Sequence, residues 1–209
     1  MLRVGLTGNI ASGKTNARRV FAELGVHTVD ADEIAHDLLM PGNDVYAKVV
    51  EAFGSGILDP DGMICRKRLG DIIFSDSEKR ALLNSLVHPA VRVEVWRRIE
   101  ELEVLHATGI VMVDAALLVE TGSYKNYDRL VVVYCEPALQ LDRLMRRGGL
   151  TLEEAVARIS AQMPVAEKLK VAHFCVDTSG TLSSTRQQIE EVHRALVLLE
   201  ISRRAESAQ

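Results

Sequence analysis

The sequence predicts an α/β fold, a largely parallel sheet flanked by helices, carrying a helical insertion and a small lid. Three observations lead there. Short β-branched runs alternate with longer amphipathic stretches, the pattern of strands joined by crossover helices. A glycine-rich run sits at the first strand-to-helix junction. Between the second and third β-branched runs lies a long interval that reads as helices alone.

Composition sets the bounds. The 209 residues suffice for one substantial core with an inserted subdomain. With 47% hydrophobic and 26% charged residues, wholesale disorder is excluded. A formal net charge of −4 gives no nucleic-acid or anionic-membrane surface, so any phosphate must be bound by a local site. No apolar run approaches the roughly 18 residues of a spanning helix, and the first residues read as a strand and not as a signal peptide. Cys65, Cys135 and Cys175 are odd in number and form no CxxC pair, which predicts reduced, mostly buried thiols of a cytoplasmic protein. The six histidines lack metal-ligand spacing, so no zinc site is expected.

The predicted strands are residues 3–7, 27–29, 110–113, 130–134 and 174–176. The first is followed by a helix over 14–24, with Val20, Phe21 and Leu24 as its apolar residues and Gly25 as its stop. The interval 33–109 predicts helices at 45–53, after Ser75 with Glu78 completing a capping box, and at 89–105 with Pro89 in the first turn. Asp59-Pro60-Asp61-Gly62 marks a turn inside it, and Trp96 reads as core. Thr151 and Glu154 form a capping box opening a helix to about 162, and Arg146-Arg147-Gly148-Gly149 before it reads as a hinge. The last helix, 183–199, places Ile189, Val192, Leu196 and Leu199 on one face against the sheet, leaving 202–209 as a frayed polar tail. The expected organisation is a core of 1–32 and 107–209 with a lid at about 143–165, and an acceptor-binding subdomain at 33–106.

The strongest chemical signal is Gly8-Asn9-Ile10-Ala11-Ser12-Gly13-Lys14-Thr15, followed by Asn16. It matches the phosphate-binding loop (P-loop) pattern GxxxxGK[ST] in the required context between strand and helix. Glycines let the backbone curl so that successive N–H groups converge on phosphate oxygens. The helix N-terminus adds its positive end, Lys14 neutralises the β and γ charge, and the Thr15 hydroxyl can hold Mg²⁺. The loop alone does not separate a kinase from a GTPase or a motor.

Asp30 and Asp32 follow the second strand, on the sheet edge where ligands bind in open α/β folds. One suits a base for an acceptor hydroxyl and the other a water on Mg²⁺; alternatively one simply caps the next helix. Arg143, Arg146 and Arg147 share a helix face beside the double glycine. They suit a lid that brings cations to a γ-phosphate and excludes water, or a solvated face paired with Asp142, Glu153 or Glu154. Arg143 is the first candidate for a phosphate contact and Arg147 the second. Asp114 ends the third strand, where an acidic residue often serves Mg²⁺, here through water, or merely closes a turn. His88 and Arg66 are candidates for the acceptor side, with packing and solvation as their plainer readings.

These residues resemble the dephospho-coenzyme A kinase family over residues 4–199. The motifs come in family order: Gly5-Leu6-Thr7-Gly8, the phosphate loop, Asp30-Ala31-Asp32-Glu33-Ile34-Ala35-His36, Pro41-Gly42, and Asp61-Gly62 with Arg66. Ile72-Ile73-Phe74, Leu86-Val87-His88-Pro89, Leu117-Leu118-Val119-Glu120, Leu141-Asp142-Arg143-Leu144, and Arg158-Ile159 with Gln162 complete the series. The resemblance implies a core sheet, a helical acceptor domain and a lid, with ATP and Mg²⁺ phosphorylating the ribose 3′-hydroxyl of dephospho-CoA. It also implies Asp32 as the base, Lys14 and Arg143 as γ-phosphate ligands, and Thr7, Arg66, His88, Leu117 and Glu120 on the substrate side. Expected partners are small molecules, with neither nucleic acid nor membrane, in a monomer or small homo-oligomer. The chain departs from the usual family residues at Ala116 (Pro), His173 (Asp) and Thr178 (Asn). Two other readings stay open at this point: a P-loop kinase for a nucleoside, nucleotide or sugar acid, and a nucleotide-dependent switch with slow hydrolysis.

Overall fold

A computed structural model describes residues 1–207, with the side chains of Phe74, Ser75 and Ser207 outside the described set. It divides into two compact units, residues 1–29 with 101–209 and residues 30–100.

The first unit is built on five strands: β1 (Leu2–Gly8), β2 (His27–Asp30, whose last residue belongs to the second unit), β3 (Ile110–Asp114), β4 (Arg129–Tyr134) and β5 (Phe174–Asp177), in the spatial order β2-β3-β1-β4-β5. β1 pairs in parallel with both β3 and β4, and β4 with β5. From central β1 the chain runs to edge strand β2, returns to β3 beside β1 and then crosses to β4 and β5 on the other side, and ligands in open α/β sheets bind at the C-terminal strand ends where such a reversal occurs. β3 is buried along its whole length and β4 along its middle, as their β-branched runs imply. On one face Leu2, Val4 and Leu6 meet Ala17, Val20 and Phe21 of helix α1 (Lys14–Glu23). The long last helix adds Ile189, Val192 and Leu196 to that layer. On the other face Leu118, Leu130 and Val132 pack with Leu169 and Val171.

The second unit is helical. Helices α2 (Ala31–Leu38), α3 (Asp44–Phe53) and α4 (Arg66–Ser75) surround Val45, Val49, Ile57, Leu69 and Val87. The Asp59–Gly62 turn closes with the Gly62 N–H donating to the Asp59 carbonyl at 2.9 Å, flanked by an antiparallel bridge between Leu58 and Ile64.

The expectations for Pro89, the last helix, the cysteines and Trp96 need correction, and one falls outside the described residues. The two helices expected before and after Pro89 are one, α5 (Ser77–Leu105), with Pro89 inside it. Pro89 and Ser85 are both exposed, so the carbonyl that loses its i+4 donor is open to water. The expected Ser75–Glu78 capping box lies on a side chain outside the described residues, and Asp76 Oδ1 instead accepts from the N–H groups of Glu78 and Lys79. The tail expected to fray is helical, since α9 runs Leu182–Ser207, while residues 208–209 lie outside the described set. Of the cysteines only Cys135 is buried, and Cys175 on strand β5 is exposed. Trp96 is half-buried and outside the core.

Between β4 and β5 the chain forms α6 (Pro137–Gly148), α7 (Leu152–Ser160) and α8 (Val165–Lys170). The expected capping box at Thr151 and Glu154 is complete in both directions, and Gly149 ends α6 in a left-handed conformation.

Candidate active site

The phosphate loop leaves β1 at Gly8. A Cβ there would stand 2.4 Å from the Val133 carbonyl, so only glycine lets the two backbones approach. Gly13, at φ 88, turns the chain into α1, with Thr178 packed against it. Asn16 and Ala17 donate to the Gly13 carbonyl, whereas the N–H groups of Gly13, Lys14 and Thr15 have no backbone acceptor among the described residues. Ser12 Oγ and Asn9 Oδ1 are buried without a hydrogen-bond partner there. Open donors at a helix start with unfilled polar atoms behind them fit a polyphosphate. The Thr15 side chain is exposed at that helix start, available to a cation.

Lys14 Nζ forms an ion pair with Asp114, which is 3% exposed, and Arg18 Nε lies 3.4 Å from the same carboxylate. Burial of a carboxylate requires such partners. Sequence reasoning missed Arg18, although its i+4 spacing from Lys14 puts both on one face of α1.

Arg143, on α6, is the innermost of its cluster. It donates from Nη1 to Thr178 Oγ1 at 2.9 Å and from Nη2 to the Thr178 carbonyl at 2.7 Å, and Thr178 Oγ1 donates to the Ser12 carbonyl at 2.7 Å. Arg143 is thereby wired to the phosphate loop through a residue that sequence reasoning noticed only as a departure from the family. Arg146 pairs with Asp142 at 2.9 Å on the solvent side, and Arg147 is exposed. Cys135 lies beneath the loop with Sγ 3.9 Å from the Ala11 carbonyl, and burial pushes its thiol pKa up.

The segment after β3 is pinned from two sides. Thr7 Oγ1 donates to the Ala116 carbonyl at 3.1 Å, and Lys168 Nζ donates to the same oxygen at 2.9 Å. Lys168, completely buried, also stands 2.7 Å from Glu120 Oε1 in a geometry that makes an ion pair without an aligned hydrogen bond. Leu117 remains 37% exposed. The position usually proline contributes a carbonyl here, which alanine supplies equally. His173 keeps a comparable local tie, with Nδ1 accepting from the Leu130 N–H at 3.1 Å.

In the helical unit the two aspartates separate in role. Asp30 Oδ1 accepts from the N–H groups of Asp32 and Glu33 at 2.9 and 3.2 Å, so Asp30 is the cap of α2. Asp32 is left exposed in the first turn of that helix. Asp32 and Arg66 line one open cavity of about 270 Å3, whose other walls include Leu39, Met40, Met63 and Ile64. His88 sits mid-helix and half-buried, and burial lowers its pKa.

Across residues 2–184 the sequence matches the family model described as dephospho-CoA kinase. The chain belongs to that family. The dephospho-CoA kinase of Carboxydothermus hydrogenoformans is 46% identical over 188 residues, 89% of this chain and 90% of that one. The solved dephospho-CoA kinase of Campylobacter jejuni superposes with a TM-score of 0.69 at 30% identity, covering 93% of this chain and 96% of its own. A shikimate kinase from Acinetobacter baumannii, with a TM-score of 0.52 at 16% identity over 96% of this chain and 95% of its own, shares the fold alone. As a dephospho-CoA kinase family member the chain is a P-loop kinase of the α/β class. No helix among the described residues is long and apolar enough to cross a membrane.

Proposed function

We propose that the chain transfers the γ-phosphoryl group of ATP to the ribose 3′-hydroxyl of dephospho-CoA, giving coenzyme A and ADP, the final step of coenzyme A synthesis. The observation that carries this is the family match over residues 2–184. The phosphate loop and the separate cavity holding Asp32 and Arg66 support it chemically.

In this reading residues 8–16 hold the ATP phosphates, Lys14 leaves Asp114 for the β and γ oxygens, and Arg143 and Arg147 meet the γ-phosphate. Mg²⁺ would neutralise charge between the β- and γ-phosphates. It would rest on the Thr15 hydroxyl, with Asp114 reaching it through water; few protein ligands suit an ion that keeps its waters. Among the described residues no group of three His, Cys, Asp or Glu side chains could hold a metal by itself, so phosphate oxygens and water would supply the rest of its ligands. Asp32 accepts the 3′-hydroxyl proton, being a carboxylate free of capping duty on an open cavity. Arg66, exposed at the start of α4, meets acceptor phosphate. Thr7, Leu117 and Glu120 shape the acceptor side of the segment after β3. His88 offers a hydrogen-bonding group to the acceptor. The enzyme works in the cytoplasm on small molecules.

The test is ADP release by the purified protein with Mg²⁺-ATP alone and with dephospho-CoA, adenosine, thymidine, AMP, gluconate or shikimate. Strong stimulation by dephospho-CoA only, with coenzyme A as product, is expected. Stimulation by a different acceptor would keep the P-loop kinase and replace its substrate, while equal rates with none would contradict the kinase reading.

A further inference from the structure

The two peptide units that meet at Ile10 are each bonded by a side chain from a distant part of the chain. The Ile10 N–H donates to Gln162 Oε1 at 2.8 Å, and its carbonyl accepts from Gln140 Nε2, also at 2.8 Å. One residue earlier, Asn9 Nδ2 donates to the Met163 carbonyl at 3.1 Å. Gln140 is buried in α6, and Gln162 lies just beyond α7, so the crest of the phosphate loop is tied to both helices.

Directly after Ile10, Ala11 stands at φ 60, the one non-glycine residue with a positive φ among those described. An L-residue holds that conformation only when its surroundings over-determine it. The left-handed step also has a use, because alternating handedness turns successive N–H groups inward to form an anion nest. The side-chain amides do what a sheet ladder cannot do at a loop crest: one accepts and the other donates, and together they fix the two successive peptide planes that meet at Ile10, the second of which leads into Ala11.

We propose that Gln140 and Gln162 are positioning residues that clamp the peptide planes on either side of Ile10 and thereby hold Ala11 in the left-handed turn that shapes the phosphate cradle before the nucleotide arrives. The clamp rests on the reading of this loop as the ATP site. Without it Ala11 relaxes, and part of the ATP binding energy goes into rebuilding the loop. Affinity for ATP falls, and the rate from the saturated complex does not.

The two bonds run in opposite directions. Gln162 acts as an acceptor, so Gln162→Glu keeps the bond. Gln140 acts as a donor, so Gln140→Glu removes the bond and sets a carboxylate against a carbonyl. Both variants add the same charge beside the same residue, and the difference between them isolates the bond. Glycine adopts the left-handed conformation without strain, so an Ala11→Gly chain depends less on the clamp.

The experiment is calorimetric ATP affinity in Mg²⁺, together with kcat at saturating substrates, for the full chain and these variants. Gln162→Met and Gln140→Glu are expected to weaken ATP binding about tenfold with kcat within about twofold, and Gln162→Glu to stay within about threefold of wild type. In an Ala11→Gly background the loss caused by Gln162→Met should shrink to about twofold. Unchanged affinity in Gln162→Met, equal losses in the two Glu variants, or an undiminished loss beside Ala11→Gly would each overturn the clamp. Should Gln140→Glu fail to fold, the Gln162 and Ala11 variants decide alone. A wild-type chain that binds no ATP removes the loop reading and the clamp together, whereas wild-type binding with indifferent variants removes only the clamp.

Discussion

Lys14→Ala should lower kcat by on the order of 10³ while the protein stays folded. The size of the effect follows from where charge develops: the γ-phosphoryl group spreads negative charge over its oxygens as it leaves ADP, and a preorganised ammonium stabilises that charge most where water is excluded. The fold should survive because Arg18 still stands beside the buried Asp114 carboxylate, so removing one cation does not strand it. The check is steady-state kinetics beside far-ultraviolet circular dichroism and a thermal melt. A variant with wild-type kcat would remove Lys14 from the reaction. A variant that no longer folds would move its importance to the Asp114 pair.

The second large effect is expected at Asp32. Asp32→Asn keeps the side-chain shape, and the backbone N–H that donates to the Asp30 cap is untouched, so the start of α2 should be unaltered. What is lost is the ability to take a proton, which should lower kcat by roughly 10²–10⁴. ATP affinity should remain within about twofold, because in the proposed reaction the cavity that Asp32 lines takes the acceptor and not the nucleotide. Stopped-flow or quench-flow transfer rates with calorimetric ATP affinity separate the two quantities. A loss confined to affinity would assign Asp32 to binding and not to proton transfer.

The parts legible in sequence were those whose signal is local. Strands β1, β3 and β4 announce themselves as β-branched runs because they are buried within a parallel sheet. The phosphate loop is legible because its geometry depends on glycines at fixed positions in one short segment. The capping box at Thr151 is legible for the same reason, since both partners lie three residues apart.

What was illegible depends on distant partners or on solvent. Pro89 reads as a helix start, yet its exposed position lets a long helix run through it. The choice of Asp30 over Asp32 as the cap turns on which carboxylate lies half outside the helix, and the spacing of the two aspartates leaves that open. Lys168, Thr178, Gln140 and Gln162 sit where no periodicity singles them out, and their partners stand 35 or more residues away along the chain. Buried polar residues of this kind become meaningful only when the groups they satisfy are known. Arg18 was within reach, because a second cation one turn after the loop lysine is a pattern that a helix reading can see.

Transfer of a phosphoryl group to a hydroxyl of dephospho-CoA is tested most directly by the fate of an isotopic label. Purified protein is mixed with Mg²⁺ and ATP labelled in the γ-phosphate, with dephospho-CoA present, and the products are separated early in the reaction. Label should appear in coenzyme A, as a phosphomonoester on the ribose 3′ position, with little in inorganic phosphate. Label found in inorganic phosphate at the same rate with and without dephospho-CoA would contradict the claim.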